Sequence, residues 1–235
     1  PHESLELLSW WEDQLDAMYA GEAWHPVFVA LAQTVAEFEI PRQPLADLLT
    51  AFRQDQTVRA YDTWEQLYGY CRNSANPVGR LVLYLARRHR DELLPLSDSV
   101  CTGLQLANFW QDLARDFAAG RRYVPTEAMD EAGYSLTDFE SQTCNARFVQ
   151  LMQQLVVRAE GLLRDGWPLV AAMPGRLRVD MALFIRGGLA ILDGIRRIEY
   201  NVWQQRPVVS RRQKLGLMFS SLCQAWRERS PAALP

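Results

Sequence analysis

Three oxygen-bearing side chains recur at intervals of four residues near the middle of the chain: Asn108, Asp112 and Asp116. An α-helix turns about 100° per residue, so this spacing places the three side chains on one stripe of a helix. Like charges at this spacing weaken a helix, and carboxylates are costly to bury unless they are paired or bound to a metal. Hard oxygen ligands suit Mg²⁺, which combines one or two carboxylates with phosphate oxygens and water. The pattern therefore indicates a divalent-metal site that handles a diphosphate.

Three arginines lie beside or just after this stripe, at Arg115, Arg121 and Arg122. Guanidinium groups bind phosphate oxygens through charge-assisted hydrogen bonds, so all three are candidate diphosphate ligands. A simpler explanation of the spacing is a solvated helix face on which Arg115 or Arg121 neutralises the aspartates. The spacing alone leaves that alternative open.

The residues around the stripe carry a more specific signal. The string from Leu104 to Asp116, followed by Gly120-Arg121-Arg122-Tyr123-Val124-Pro125, resembles the second aspartate-rich motif of the squalene/phytoene synthase family. The segment from Tyr70 to Gly79 is similar to the Y-C-x-x-x-A-x-x-V-G helix of the same family. The resemblance covers nearly the whole chain. It implies an all-α fold, in which residues 1–235 form one helical bundle of the isoprenoid synthase type around a central pocket.

The resemblance also implies roles for individual residues. Asn108, Asp112 and Asp116 are the implied Mg²⁺ ligands, with Mn²⁺ as a substitute, and Asp112, Asp116 and Arg121 are the implied catalytic residues. The implied substrate-binding residues are Tyr70, Ala75, Val78, Gly79, Leu104, Gln105, Arg121, Tyr123 and Tyr200. Small residues leave room for a prenyl tail, but close packing between helices uses the same residues. For Tyr200 the alternative is a half-buried aromatic side chain without a binding role.

Two departures from the usual family pattern favour one branch. Gln111 stands where the family usually has an arginine, and Gly187-Gly188 replaces bulkier residues on a late helix. With the string N-F-W-Q-D, these departures resemble the hydroxysqualene synthases of hopanoid biosynthesis. That branch converts presqualene diphosphate and water into hydroxysqualene and diphosphate, so no NADPH is expected. One hypothesis is that the lost arginine faced the diphosphate, and that its loss suits a site that ionises a single diphosphate.

Two other functions remain as alternatives. The first is the head-to-head condensation of two prenyl diphosphates into presqualene diphosphate, squalene or phytoene, which sister enzymes catalyse. The second is a non-catalytic helical subunit that binds a prenyl lipid or assembles with a partner. Retention of the aspartates and of Arg121 speaks against the second alternative, because a scaffold has no use for a diphosphate site.

The first aspartate-rich motif of the family, which faces the second across the pocket, has no counterpart here. The early acidic residues Glu12, Asp13 and Asp16 suit the solvated face of an amphipathic helix better than a ligand set. We therefore expect the chain to begin just after the missing motif. By itself, such a chain is expected to be inactive.

Composition and charge exclude several classes of protein. The 235 residues, of which 49% are hydrophobic, suffice for one sizeable core. A net charge of -3 argues against nucleic acid as a partner. No apolar run reaches the length of a membrane-spanning helix. The four cysteines, Cys71, Cys101, Cys144 and Cys223, lack a C-x-x-C pair and are predicted to be reduced core residues of a cytoplasmic protein.

The end of the chain is basic and partly apolar. Its basic residues are Arg206, Arg211, Arg212, Lys214, Arg227 and Arg229. A water-insoluble C30 diphosphate as the substrate would suit peripheral contact with the inner face of the membrane, and contact with other enzymes of the squalene pathway. An ordinary terminal helix is the preferred alternative.

Apolar residues recur at helical spacing along most of the chain, without strand-like alternation. Helices are predicted at 5–18, 27–38, 45–56, 64–85 with a break at Asn76-Pro77, 97–119, 148–163, 181–205 and 211–229. Short helical pieces are predicted between 126 and 143. Thr63 or Asp62 is the predicted N-cap of the fourth helix, and Gly120 the C-cap of the helix that carries the aspartates.

Overall fold

The computed structural model describes residues 2–210 together with residues 213, 216 and 218, and this part of the chain contains helices without β-strands. The α-helices are α1 (His2–Tyr19), α2 (Pro26–Phe38), α3 (Gln43–Thr57), α4 (Trp64–Ser74), α5 (Asn76–Leu85), α6 (Leu94–Ala118), α7 (Thr126–Glu131), α8 (Leu136–Glu140), α9 (Ala146–Asp165), α10 (Leu169–Ala172) and α11 (Gly175–Arg197). A 3₁₀ turn at Asp91–Leu93 precedes α6. The all-α prediction is confirmed. No helix in the described ranges is long and apolar enough to cross a membrane.

Most of the predicted helices are confirmed, including the break before Pro77 that separates α4 from α5. Thr63 is the N-cap of α4, because its hydroxyl accepts a hydrogen bond from the Gln66 amide at 3.3 Å and the Gln66 side chain accepts in return from the backbone of Thr63. Such a capping box satisfies amide groups that the first turn of a helix leaves without partners.

The predicted helix at 181–205 is wrong at both ends. The observed helix α11 begins at Gly175 and ends at Arg197. Glu199 and Tyr200 then adopt left-handed backbone angles, with φ of 52° and 63°, and turn the chain out of the helix. The predicted basic helix at 211–229 lies outside the described residues, apart from positions 213, 216 and 218.

Helix α6 is the central element of the bundle. It packs against α9, α11, α5 and α4, and its inward side chains Leu106 and Trp110 are fully buried. A smaller cluster of Leu15, Met18, Phe28 and Leu49 holds α1 and α2 against α3. One face of α6 is therefore fixed by the core, which leaves another face free to carry chemistry.

The free thiols follow the predicted placement only in part. Cys71 is buried and Cys101 is partly buried, whereas Cys144 is exposed, so its predicted core position is wrong. Cys223 lies outside the described residues.

Glycine permits the close approach of α9 to α6. A Cβ atom added to Gly166 would lie 2.9 Å from the carbonyl oxygen of Leu96 and 3.0 Å from the amide nitrogen of Val100. Both atoms belong to the backbone and cannot swing aside. By contrast, a Cβ atom added to Gly161, within α9, would meet no atom within 4 Å.

The variants Gly166→Ala and Gly161→Ala should therefore change stability in opposite directions. We expect Gly166→Ala to lower the free energy of unfolding by about 2 kcal/mol through overpacking. Gly161→Ala should raise it by about 0.5 to 1 kcal/mol, because alanine favours a helix over glycine. Urea denaturation measures both, and equal effects of the two substitutions would contradict the packing argument.

Candidate active site

The site is built where α6 ends. Gly120 has φ of 75°, a left-handed conformation that glycine adopts without strain. Its amide donates to the carbonyl of Phe117 at 2.9 Å, and the amide of Arg121 donates to the carbonyl of Asp116 at 2.8 Å. These two bonds form a Schellman motif, which satisfies the last carbonyls of the helix. The predicted C-cap is confirmed, and the motif returns Arg121 to the level of Asp116.

The two aspartates on α6 have opposite electrostatic environments. The carboxylate of Asp112 is paired on both oxygens by Arg206, with Nη2 3.2 Å from Oδ2, and Nη1 of Arg115 lies 3.5 Å from Oδ1. Hydrogen bonds from Arg206 are the main cause that lowers the pKa of Asp112. For Asp116, burial and then the charge of Asp112 raise the pKa to about 6, although Arg121 opposes this rise.

Asp116 forms no ion pair within 4.0 Å among the described residues. At neutral pH it therefore carries a partly buried negative charge beside a second carboxylate, which is the arrangement that a bound cation relieves. Asn108 lies one turn before Asp112 and is exposed. The stripe thus runs from an exposed amide to a half-buried carboxylate.

These donors suit Mg²⁺ as a partial ligand set. Within the residues that the structure describes, no three His, Cys, Asp or Glu side chains group to hold a metal by themselves. Two carboxylates and one amide on α6 are the hard oxygen donors that Mg²⁺ uses, and this ion takes its remaining ligands from phosphate and water. The predicted ligands Asn108, Asp112 and Asp116 therefore suit the metal, although its binding stays a prediction.

Arg121 links the aspartates to an aromatic wall. Its Nη1 donates to the hydroxyl of Tyr123 at 3.4 Å, and the Tyr123 ring stacks on Phe109 with centroids 3.8 Å apart. The Tyr70 ring lies 5.9 Å from that of Tyr123, and its hydroxyl donates to Oδ1 of Asp55 at 2.9 Å. Burial raises the pKa of both tyrosines, so their phenols stay neutral over the working range.

One of the candidate arginines does not serve as predicted. The Arg122 guanidinium donates to the carbonyl of Val124 at 2.7 Å and to the hydroxyl of Thr126 at 3.1 Å. Its backbone amide bonds to the carbonyl of Arg59 at 2.7 Å, so this residue fastens one loop to another rather than facing a diphosphate. Arg115 is exposed and lies beside Asp112, and its role toward a diphosphate stays a prediction.

The predicted pocket residues fall into two groups. Val78 is half exposed, and Leu104 and Gln105 are partly exposed, so these side chains are open to a ligand. Ala75 is buried at the junction of α4 and α5. A Cβ atom added to Gly79 would collide with the side chains of Ser97 and Cys101 on α6. For Gly79 the structure therefore supports the alternative, close helix packing.

Residues predicted on or after α11 contribute to packing and to the turn that follows the helix. Tyr200 forms the left-handed turn after α11 and packs, partly buried, against the main core, which supports the alternative of a half-buried aromatic. A Cβ atom added to Gly188 would lie 2.9 Å from side-chain atoms of Leu104 and Leu163, whereas one added to Gly187 would meet nothing within 4 Å. No binding role for Tyr200 follows from this placement.

The hypothesis for Gln111 requires a correction. Gln111 is buried, with 7% of its surface exposed, and its Nε2 donates to the carbonyl of Pro207 at 2.6 Å. Position 111 therefore faces the interior and the segment after α11, and it does not face the carboxylate stripe. Loss of an arginine there is not the loss of a diphosphate ligand in this structure.

Sequence reasoning missed the pairing of Arg206 with Asp112 and of Asp55 with Tyr70. For Arg206 the sequence carried a signal about the backbone only. A residue that precedes proline favours an extended backbone, which predicts that Arg206 lies outside a helix but does not identify Asp112 as its partner. Asp55 carried no comparable signal, because its partner is fixed only by the packing of α3 on α4.

Comparisons with known proteins identify the family. The sequence model of the squalene/phytoene synthase family matches residues 1–213. A hydroxysqualene synthase of Rhodopseudomonas palustris is 37% identical over 161 residues, which are 68% of this chain and 55% of the relative. A phytoene synthase of Arthrospira platensis is 29% identical over 225 residues, 90% of this chain and 73% of the relative. The matched part spans about half the length of the hydroxysqualene synthases of Rhodopseudomonas palustris and Sinorhizobium fredii, and 70% of that of Zymomonas mobilis.

Solved structures agree as well. The crystal structure of squalene synthase HpnC from Alicyclobacillus acidocaldarius superposes with a TM-score of 0.81 at 42% identity, covering 83% of this chain and 74% of the other. A dehydrosqualene synthase in complex with a ligand superposes with a TM-score of 0.85, covering 94% of this chain and 78% of the other; at 24% identity it shows the shared fold alone. Since the family match extends over most of its length, the chain belongs to the squalene/phytoene synthase family.

Proposed function

We propose that the protein is a hydroxysqualene synthase, which converts presqualene diphosphate and water into hydroxysqualene and inorganic diphosphate. The observation that carries the chemistry is the half-buried carboxylate of Asp116, which lies beside Asp112 and has no ion-pair partner in the part of the chain that the structure describes. The choice of product rests on the relatives, since two hydroxysqualene synthases are 37% and 38% identical to this chain and the phytoene synthase of Arthrospira platensis is 29% identical. NADPH has no place in this reaction, because no step reduces the carbon skeleton.

Charge placement supports ionisation of the substrate. Asn108, Asp112 and Asp116 would hold Mg²⁺, or Mn²⁺ in its place, and the bound ion would stabilise the negative charge of the departing diphosphate. Arg206 pairs with Asp112, and Arg121 is near enough to Asp116 to oppose the rise of its pKa. Both guanidinium groups would be in position to donate to diphosphate oxygens beside the ion that the aspartates would hold. Preorganised cations of this kind are a major source of rate enhancement.

The walls of the site must then shelter a carbocation until water adds to it. The rings of Phe109 and Tyr123 stack on each other and border a small cavity that Asp116 and Arg121 also line, so aromatic side chains lie next to the charged end of the site. The raised pKa of Tyr123 keeps its phenol neutral, so it presents no anionic oxygen to compete with water. Trp110 is fully buried in the core and does not reach the substrate.

Head-to-head condensation of two prenyl diphosphates is the second candidate function. Phytoene synthases match up to 91% of the chain, and the hydroxysqualene synthase of Zymomonas mobilis matches 88% at 29% identity, so coverage does not separate the two functions. Gln111 no longer separates them through a diphosphate contact, because its side chain bonds to Pro207. A non-catalytic subunit is less well supported, because it gains nothing from a half-buried carboxylate that no described residue pairs.

Other predicted partners stay predictions. Of the basic residues proposed for membrane contact, Arg206 alone is among the described residues, and it is paired with Asp112. Cytoplasmic location, peripheral membrane contact and association with other enzymes of the squalene pathway therefore await direct measurement.

The identity of the product separates the two functions. We expect the protein as its gene encodes it, given presqualene diphosphate and Mg²⁺ without NADPH, to release hydroxysqualene, identified by mass spectrometry. Labelled water should place its oxygen in the product. Turnover of farnesyl diphosphate together with inert presqualene diphosphate would instead assign the condensing activity.

Neutralising either aspartate should abolish turnover while the fold persists. We expect Asp112→Asn and Asp116→Asn each to lower kcat/KM by at least about 100-fold, because charge stabilisation in the transition state is lost. Asp165→Asn, at the exposed end of α9, is the matched control and should retain activity. Near-normal turnover by either site variant would contradict the catalytic role.

Asp116→Asn should also stabilise the metal-free protein at neutral pH. The folded pKa of about 6 lies above the ordinary value of 3.8, so the wild-type chain loses stability as pH rises through this window and regains it on acidification. We expect the variant to be more stable by about 1 kcal/mol at pH 7.5, after a discount for solvent, and the difference to vanish near pH 4. Urea denaturation in the presence of EDTA measures both, and a pH-independent difference would contradict the assignment.

A further inference from the structure

The segment after α11 is folded back against α6. We name residues 202–207 the clasp. Two left-handed residues, Glu199 and Tyr200, reverse the chain before it. Within the clasp, Trp203 is buried, and its ring centroid lies 5.0 Å from that of Phe139 and 5.7 Å from that of Phe148.

Two adjacent residues of α6 form hydrogen bonds with two adjacent residues of the clasp. Gln111 donates to the carbonyl of Pro207 at 2.6 Å, and Asp112 accepts the bidentate contact of Arg206. Pro207 is itself buried, and α11 approaches it from the other side, since a Cβ atom added to Gly194 would lie 3.0 Å from the Pro207 Cβ. The register of the clasp along α6 is therefore fixed at this point.

Of these two contacts, the hydrogen bond from the buried Gln111 side chain contributes more to holding the clasp. Side chains of Arg206 and Asp112 are 39% and 13% exposed, and an ion pair with such an open partner contributes little to stability. Gln111 is 7% exposed, so breaking its bond leaves the carbonyl of Pro207 unsatisfied in the interior. Arg206 is thus held at the carboxylate stripe because Gln111 holds the residue next to it.

We propose that Gln111 is a positioning residue, whose buried amide fixes the clasp through Pro207 and so presents the Arg206 guanidinium at the diphosphate site on α6. This inference rests on the proposed function, because it takes the stripe of Asp112 and Asp116 as the place where a diphosphate binds. Gln111 itself touches no substrate. It acts through a main-chain carbonyl one residue away from the guanidinium it positions.

The first test is the affinity for inorganic diphosphate with Mg²⁺, measured by titration calorimetry on the protein as its gene encodes it. Gln111→Met keeps the length of the side chain and removes the donor. We expect it to weaken diphosphate binding about tenfold. The matched control is Thr102→Val, which removes an equally buried hydrogen bond on the same helix, from Thr102 to Asn76 at 2.9 Å, without touching the clasp. Thr102→Val should lower stability and leave diphosphate affinity unchanged.

A double-variant cycle tests whether Gln111 acts through Arg206. Arg206→Met should weaken diphosphate binding about thirtyfold through loss of a charge-assisted contact. Adding Gln111→Met to Arg206→Met should then change the affinity by less than about twofold, because the group to be positioned is gone. Full additivity of the two losses would overturn the proposal.

A second variant keeps the proposal testable should Gln111→Met fold poorly. Gly194→Ala pushes on Pro207 from α11 and leaves α6 untouched, so it should also weaken diphosphate binding. Gly161→Ala serves as its control. Wild-type protein without affinity for Mg²⁺ and diphosphate would refute the proposed site. Wild-type affinity retained in both Gln111→Met and Gly194→Ala would refute the positioning role alone.

Discussion

Repulsion between two carboxylates one helical turn apart on α6 is the constraint on which the site depends. Arg206, which lies 94 residues further along the chain, relieves the charge of Asp112. The charge of Asp116 is not relieved in this way, and burial together with its neighbour raises its pKa to about 6. A helix with packing as its only task would gain stability by losing one of these charges. Their retention is the strongest structural argument that α6 serves a bound cation.

Helix α6 tolerates this repulsion because its other face lies in the core. Trp110 and Leu106 are fully buried, and each large apolar side chain stabilises the fold by about 1.5 to 3 kcal/mol. An unfavourable electrostatic contribution of about 1 kcal/mol is small beside that sum. The same rigidity holds the Schellman turn at Gly120, which returns Arg121 to Asp116. Packing and chemistry thus occupy separate faces of one helix.

Sequence patterns predicted the features that depend on neighbouring residues, namely the helices and their ends. Apolar residues at helical spacing predicted α1 to α6 and α9 within a few residues, and the helix ends at Thr63 and Gly120 followed from residue chemistry. The end of α11 was missed because Glu199 and Tyr200 adopt left-handed angles that neither residue type signals. Asp112, Asp116 and Arg121 were predicted because they share one helix and its exit turn. The pairing of Arg206 with Asp112 was not, because it joins residues 94 positions apart.

Gln111 lies within the sequence motif, next to Asp112, but its side chain does not point into the site. Adjacent residues of a helix point about 100° apart, so Gln111 faces inward while Asp112 faces the site. An arginine at this buried position would need a partner for its charge, and the carbonyl of Pro207 alone would not supply one.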